Sequence, residues 1–218
     1  MILELYKATL RSGSREVFAD LSFLAKPGER VAVTGGMPGD RSAVLQTFLG
    51  LRRLESGWAC FDGEPVLPEI AACFRKSVAY LSRDFNFDSM TVESVAQMLF
   101  SERVNRSAAY SSDRLSESLE QLGVASSCLA EPFGGLDAAT SQRALMAITF
   151  MPRRQVALMD SPTLWQDERG RRLVAEYIAS PRFDDVSVVI ATDDRAILDV
   201  CGKVVSIDRE TSTKETEI

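Results

Sequence analysis

The chain has no histidine among its 218 residues. This absence excludes imidazole acid–base catalysis, histidine-ligated metal sites and a Ser–His–Asp triad. Cysteine is also scarce, and its few positions are scattered without a C-x-x-C pair: Cys60, Cys73, Cys128 and Cys201. That spacing predicts buried, reduced thiols instead of a metal or redox centre. Any chemistry of this chain must therefore come from other side chains.

Two further absences concern membranes and secretion. No apolar run approaches the roughly 20 residues that span a bilayer. The N-terminus lacks the charged-then-apolar pattern of a secretory signal. The net charge of −6 and the isoelectric point near 4.9 disfavour a primary role on nucleic acid. We therefore expect a cytoplasmic protein with no nucleic-acid partner.

The most informative stretch that is present is a glycine-rich turn between an apolar strand and an apolar helix. The nucleotide-binding pattern G-x-x-x-x-G-K-[ST] falls in register, with Gly35 at the first glycine and Ser42 at the terminal hydroxyl. Asp40 stands where the second glycine belongs, and Arg41 where the lysine belongs. We expect Arg41 and Ser42 to open the helix. The stretch predicts a phosphate loop with altered chemistry.

A phosphate loop works because backbone N–H groups and a helix N-terminus point at phosphate oxygens. Pro38 removes one such donor between Gly36 and Gly39, and Asp40 adds a carboxylate near the anion's place. Milder interpretations stay open. In the first, Arg41 keeps some phosphate affinity, because a guanidinium also binds phosphate. In the second, Asp40 and Arg41 form a local ion pair on an empty loop. In the third, Ser42 is only the N-cap of the helix.

Strands and helices alternate along the chain. Apolar runs predict strands at 2–9, 17–25, 30–34, 57–61, 78–82, 156–160, 187–191 and 204–207. Helical patterns follow the phosphate loop and cover 91–124, 138–150 and 194–201. The alternation predicts an α/β fold of the P-loop NTPase type, with a mostly parallel sheet flanked by helices. The first two strands predict an antiparallel β subdomain, and the polar end of the chain a frayed tail.

Several segments in the same order resemble the nucleotide-binding subunit of an ATP-binding cassette (ABC) transporter over roughly residues 3–209. They are Leu3-Glu4-Leu5, Asp20-Leu21-Ser22-Phe23, Lys26-Pro27-Gly28-Glu29-Arg30, Glu55-Ser56-Gly57, Asp62-Gly63, Ser141-Gln142-Arg143 and Met159-Asp160-Ser161-Pro162-Thr163. The resemblance implies one nucleotide-binding domain over 1–209, with a small helical subdomain at about 84–150 and a flexible tail at 210–218.

The resemblance assigns the family's nucleotide positions to unusual residues. The adenine-stacking aromatic falls on Ser12, the second Ser/Thr of the loop on Ala43, and the switch glutamine on Arg83. The signature L-S-G-G-Q falls on Leu136-Asp137-Ala138-Ala139-Thr140. A register shifted to Gly134-Gly135 is the alternative, but the spacing back from Asp160 favours Leu136.

The positions that the family uses to hydrolyse ATP are also altered. Asp160, at a strand end, matches the family's aspartate, which holds magnesium through a water molecule. The alternative interpretation is that Asp160 only caps the end of its strand. Ser161 replaces the catalytic glutamate and Asp193 the switch histidine, while Asp167 matches the dimer-loop aspartate. The resemblance implies metal ligation by Ser42 and Asp160 only if Mg-ATP binds. No cofactor is expected to be required, and ATP with magnesium is expected to bind weakly.

The joint loss of stacking ring, lysine, glutamine, base and histidine predicts a catalytically degenerate subunit. One lost general base costs roughly two to four decades of rate. The expected function is a structural or regulatory partner of a membrane permease at the inner face of the membrane. It would pair as a homodimer or with an intact ABC ATPase subunit. One alternative is a weak ATPase in which Arg41 and Arg83 replace the missing residues; another, a nucleic-acid-associated ABC protein, is disfavoured by the acidic charge.

The permease contact is expected near Phe85, Phe87 and Met90, an aromatic and methionine-rich segment after a predicted strand. If these side chains are exposed, they mark a partner groove. The alternative is that they pack on the helical subdomain. In the family, the corresponding region receives a helix from the membrane subunit.

Overall fold

Two β-sheets form the frame of the molecule, in a computed structural model that describes residues 1–105 and 109–208. The smaller sheet is antiparallel, in the order β2-β1-β4-β5. Its strands are β1 (Leu3–Ser12), β2 (Arg15–Ala25), β4 (Ser56–Phe61) and β5 (Glu64–Pro65). The tail predicted at 210–218 lies outside the described residues.

The larger sheet is parallel throughout, in the order β6-β7-β8-β3-β9. Its strands are β3 (Arg30–Thr34), β6 (Val78–Leu81), β7 (Val156–Asp160), β8 (Ser187–Ala191) and β9 (Lys203–Ser206). Every position of β7 and β8 is buried, because layers of structure cover both faces of a parallel sheet. The predicted fold class is confirmed.

Helices cover the parallel sheet. They are α1 (Pro38–Phe48), α2 (Ala71–Arg75), α3 (Val92–Ser101), α4 (Ser112–Gln121), α5 (Ala138–Thr149), α6 (Glu168–Ala179) and α7 (Arg195–Leu198). Thr91 and Ser111 cap α3 and α4 by accepting a backbone N–H of the first turn. The helical pattern predicted over 91–124 therefore corresponds to two separately capped helices, α3 and α4.

Two apolar cores lie on opposite faces of the parallel sheet. Along β7, Val156 and Leu158 point into a core shared with the antiparallel sheet and α1. The alternate residues Ala157 and Met159 point into a core shared with α3, α4, α5 and α6. This alternation follows from the two-residue period of a strand. The antiparallel sheet and α1 therefore lie on one face of the parallel sheet, and α3, α4, α5 and α6 lie on the other. Within 1–105 and 109–208, no helix combines the length and apolarity that crossing a membrane requires.

Candidate functional site

The phosphate loop connects β3 to α1 through Gly35, Gly36 and Met37. Gly35 has φ +84°, and a Cβ there would lie 2.3 Å from a carboxylate oxygen of Asp208, so only glycine fits. Helix α1 begins at Pro38, with Met37 as its N-cap. The expectation that Arg41 and Ser42 open this helix is wrong. Proline is pre-organised for the first helical position, and this one starts the helix within the predicted loop.

Three backbone N–H groups of the loop donate to carboxylates of the chain itself. Gly35 donates to Asp193 (3.0 Å), Gly36 to Asp208 (2.9 Å) and Met37 to Asp40 (3.3 Å). The next donors are also used, since the N–H groups of Asp40 and Arg41 both point to the Met37 carbonyl, at 2.9 and 3.3 Å. The donors that a phosphate would need are therefore largely occupied by protein oxygens.

Asp40 is held in the loop by Arg15. The guanidinium forms a bidentate pair with the carboxylate, at 2.9 Å from Nη1 and 2.6 Å from Nη2. Asp40 is 5% exposed, and its hydrogen bonds from Arg15 and then from Met37 hold its pKa below the ordinary value. The carboxylate is consequently ionised at neutral pH. An anion approaching the loop would meet this fixed negative charge.

Arg41 turns back onto the loop instead of pairing with its neighbour. Its Nη1 donates to the carbonyls of Gly35 (2.7 Å) and Gly36 (3.1 Å) and lies 2.5 Å from a carboxylate oxygen of Asp193. Asp193 also accepts the Thr34 hydroxyl at 2.5 Å. The predicted Asp40–Arg41 ion pair is therefore wrong, because each charge has a different partner. The guanidinium of Arg41, which stands at the lysine position of the motif, therefore joins the loop backbone to Asp193.

Ser42 and Asp160 are the candidate metal ligands. Ser42 donates its hydroxyl to the Pro38 carbonyl at 3.0 Å, one helical turn back. Asp160 ends β7 and is almost fully buried, with the Ser161 hydroxyl at 3.2 Å and the Tyr80 hydroxyl at 3.5 Å. Burial raises the pKa of Asp160, and the hydrogen bond from Ser161 and the charge of Arg83 only partly oppose this. Burial and the Asp160 charge raise the pKa of Tyr80 to about 12.

These residues do not fit a magnesium triphosphate as they stand. Ser42 and Asp160 supply oxygen atoms of the kind magnesium prefers, but the ion is usually held together with substrate phosphates. The loop that would hold those phosphates is filled by Asp40, Asp193 and Asp208. Over 1–105 and 109–208, no cluster of three or more acidic or cysteine side chains could hold a metal independently.

A cavity of about 470 Å³ lies beside the loop, between α1 and the turn joining β1 to β2. Its lining brings together the predicted residues Ser12, Gly39, Asp40, Ala43 and Arg83. It also contains three arginines that the sequence motifs did not indicate: Arg11, Arg15 and Arg52. Neither these arginines nor Asp208 belongs to a local pattern, since each reaches the loop only through the fold.

Ser161 adopts a left-handed backbone conformation, with φ +51°. Its N–H donates to the Ala191 carbonyl at 2.9 Å, which fixes the turn after β7. The Ser161 hydroxyl donates to Asp160. A serine has no carboxylate that could take a proton from a water molecule, so Ser161 cannot act as the general base. Arg83 is half-buried, and its Nε lacks a hydrogen-bond partner among the residues that the structure describes. Its nearest carboxylate, Asp84, lies 3.9 Å away.

Asp137, Ala138 and Ala139 lie at the start of α5 and do not line the cavity beside the loop. Asp137 caps the helix by accepting the Thr140 N–H at 2.9 Å and hydroxyl at 2.6 Å. The helix start is tied to the turn after β7 by two buried amides. Gln142 donates to the Ser161 carbonyl, and Gln166 donates to the Ala139 carbonyl, each at 3.0 Å.

A second cavity, the partner groove, has a volume of about 500 Å³ and lies between α3, α5 and the segment after β6. Phe85 and Phe87 line this groove, while Met90 does not. All three side chains are half-buried against the helical core, and both rings lie within 6.3 Å of the Phe133 ring centre. The alternative of packing on the helical part is therefore what the structure shows. The exposed apolar side chains of the groove are Met98 and Val104.

The parallel sheet with a glycine turn leading into a helix defines a nucleotide-binding fold of the P-loop class. Comparison with known proteins identifies the family. The model of the family described as "ABC transporter" matches residues 18–164. The chain therefore belongs to the ABC transporter family, and the resemblance seen in its sequence is confirmed.

Individual relatives agree with this membership. The cytochrome c biogenesis ATP-binding export protein CcmA of Rhizobium meliloti is 31% identical, over 83% of this chain and 85% of its own. The energy-coupling factor transporter ATP-binding protein EcfA1 of Lactiplantibacillus plantarum is 27% identical, over 79% of this chain. This chain spans only 61% of the EcfA1 relative. A bacterial ABC transporter cassette solved as a dimer has the same fold, with a TM-score of 0.79, 17% identity and 94% coverage of both chains.

Proposed function

We propose that this protein is a catalytically degenerate ABC subunit that serves as a structural or regulatory partner of a membrane permease. The observation that carries the proposal is the internally closed phosphate loop. Asp193, Asp208 and Asp40 accept the loop N–H groups. A triphosphate would have to displace them and would meet their charges, a like-charge contact that costs several kcal/mol when uncompensated.

The residues around the loop support the same conclusion. Ser12 offers no ring for an adenine, and Ser161 offers no base. Arg41 is engaged by Asp193 and the loop carbonyls, so opening the loop would also break those contacts. Losing a base and a preorganised donor together costs several decades of rate, even when the effects are not additive. Hydrolysis near the background rate is the consequence.

The scaffold role rests on the partner groove. Its apolar lining includes Phe85, Phe87 and the exposed Met98 and Val104. Exposed apolar side chains around a concave surface favour a protein partner. The proposed location is therefore the cytoplasmic face of the membrane, where a permease segment occupies the groove. The protein pairs there with an intact ABC ATPase subunit or with a second copy of itself.

A weakly active ATPase is the second candidate. The observation that favours it is the retained pair Ser42 and Asp160, a hydroxyl in the first turns of α1 and a carboxylate at the end of β7, both oxygen donors that magnesium prefers. Arg83 lies close enough to influence the charge of Asp160. In this version ATP opens the loop, and Arg41 and Arg83 take the roles of the missing lysine and glutamine.

Steady-state hydrolysis by the purified protein separates the two candidates. The scaffold proposal expects no turnover above that of an Arg41→Ala variant, which controls for contaminating ATPase. A turnover above roughly one per second that Arg41→Ala abolishes, within the ordinary enzyme range, would support the active candidate instead. The scaffold role itself is tested by co-expression with candidate permease subunits. Met98→Asp should abolish co-purification, and Arg41→Ala should leave it intact.

A further inference from the structure

The chain that leaves β9 passes directly over the phosphate loop. Strands β3 and β9 are parallel neighbours, with Thr34 opposite Ser206 at their ends. The same register continues beyond the two strands, because the Ile207 N–H donates to the Thr34 carbonyl at 2.9 Å. Asp208 therefore stands beside Gly36, and its Oδ1 accepts the Gly36 N–H at 2.9 Å.

Two glycines of the loop provide the space for this segment. A Cβ on Gly35 would lie 2.3 Å from Oδ2 of Asp208, and a Cβ on Gly36 would lie 2.7 Å from Cδ1 of Ile207. The Asp208 N–H donates to the Ser206 hydroxyl at 3.1 Å, which orients the aspartate at the end of β9. The carboxylate is consequently built against the loop backbone by the register of the sheet.

The three carboxylates that contact the loop differ in their counter-charges. Asp40 pairs with Arg15, and Asp193 pairs with Arg41. Asp208 forms no ion pair with the side chains of residues 1–105 and 109–208, and it is exposed. Removing one member of an ion pair leaves a charge uncompensated. Of the three, Asp208 is therefore the carboxylate that can leave the loop without separating an ion pair.

Withdrawal of Asp208 frees one donor next to a fixed cation. The Gly36 N–H loses its acceptor, while Arg41 stays beside it through the hydrogen bond from Nη1 to the Gly36 carbonyl, at 3.1 Å. The neighbouring Gly35 N–H remains with Asp193. A phosphate oxygen and a carboxylate oxygen accept equally from such a backbone donor. The opened position therefore suits one small oxyanion and not a triphosphate, which needs several donors in a row.

We propose that Asp208 is a releasable autoinhibitory latch, whose carboxylate holds the phosphate loop shut and whose withdrawal opens the Gly36 N–H to a small oxyanion. This inference rests on the proposed degenerate function, because it identifies the contact that regulates the closed loop. Displacement of Asp208 alone opens the latch, since Ile207 stays bonded to the end of β3. The ion pairs of the other two loop carboxylates remain in the open state.

Hydrogen exchange of single amides, followed by NMR on isotope-labelled protein, tests the latch. Asp208→Ala should raise the exchange rate of the Gly36 amide about tenfold, because that N–H loses its acceptor. The Gly35 amide, which donates to Asp193, is the internal reference and should change less than about twofold. Asp199→Ala is the matched control variant, because its carboxylate pairs with Arg195 and not with the loop. It should leave both amides unchanged.

Inorganic phosphate then probes the opened loop. Titration into the tens of millimolar, with sodium chloride holding the ionic strength constant, should shift the Gly36 resonance of Asp208→Ala along a saturating curve. Wild type and Asp199→Ala should show no such shift. Asp208→Asn, which keeps an oxygen acceptor but loses the charge, should fall between wild type and Asp208→Ala in both measurements.

Two results would overturn the latch. One is an equal Gly36 exchange rate in wild type and Asp208→Ala. The other is a phosphate response that is the same in the two proteins, whether present in both or absent from both. Either result leaves the scaffold proposal standing, because that proposal fails separately, through ATP hydrolysis that Arg41→Ala abolishes.

Discussion

The phosphate loop and the partner groove each contain an arginine, and the two arginines differ in their partners. In the loop, Arg41 meets the carboxylate of Asp193, and Asp40 meets Arg15. In the groove, the hydrogen bonds that the described residues give Arg154 go to the neutral amide of Asn105 and to the Arg153 carbonyl. Both loop charges are therefore paired within the chain, whereas Arg154 has no carboxylate partner within residues 1–105 and 109–208.

The physical basis of this contrast is whether each arginine has a carboxylate partner within the chain. Each loop pair joins a buried side chain to a half-exposed one, so the pair is partly screened by water but still fixes both charges. The loop pairs therefore oppose opening, and a triphosphate has to compete with them. Protein binding and nucleotide binding are thus expected to respond to different substitutions.

The largest effect is expected from Phe133→Ala, which removes the ring beneath Phe85 and Phe87. Phe133 is buried, so the free energy of unfolding should fall by about 3 kcal/mol or more. Urea unfolding measures the change. The control in the loop is Met37→Ala, whose side chain is 56% exposed and should change stability by less than about 0.5 kcal/mol. Equal effects of the two substitutions would remove the assigned packing role of Phe133.

A smaller loss is expected from Asp40→Asn, by about 1 kcal/mol at pH 7, since Arg15 is half exposed and the pair is screened. The pKa of Asp40 is lowered in the folded protein, so its contribution is complete above the unfolded-state pKa near 3.9. The contribution is lost as the pH falls through the folded pKa. Stability curves of wild type and variant should therefore converge in acid. A constant difference would show that charge is not the cause.

Asp160→Asn should act in the opposite direction and raise the free energy of unfolding by about 1 kcal/mol at pH 7. The reason is that burial raises the pKa of Asp160, so folding keeps an unfavourable charge at neutral pH. The gain should disappear as the pH falls through that raised pKa, because the wild-type carboxyl then also becomes neutral. Urea titrations at several pH values between 7 and 4 test this. A destabilised variant at pH 7 would contradict the assignment.

The buried strands were the most predictable part of the fold. The predicted strands at 30–34, 156–160 and 187–191 have the bounds of β3, β7 and β8, because fully buried strands are continuous apolar runs. Helix α6 was missed, since its first turn contains Gly170 among charged residues, and glycine lowers helix propensity. The hydrophobic period alone therefore located sheets better than surface helices.

The candidate site was predictable in its members but not in its contacts. The phosphate-loop frame located Asp40 and Arg41, and their neighbourhood in sequence favoured a pair between them. The observed partner of Asp40 is Arg15, 25 residues away in the sequence. The observed partner of Arg41 is Asp193, in the turn that follows β8. Asp208 reaches Gly36 from 172 residues away. Such contacts depend on how the sheet brings distant loops together, which no local pattern contains.

Thermal unfolding with and without magnesium ATP tests the closed loop most directly. Wild type at about 5 mM ligand should show no rise in Tm. The matched variant, with Pro38→Gly and Asp40→Gly, should show a rise, because one donor is restored and one carboxylate removed. A dissociation constant of about 50 µM would stabilise the protein by roughly 2.7 kcal/mol, or about 5–10 °C at this chain length. A shift of that size in wild type, with no further gain in the variant, would contradict the closed loop.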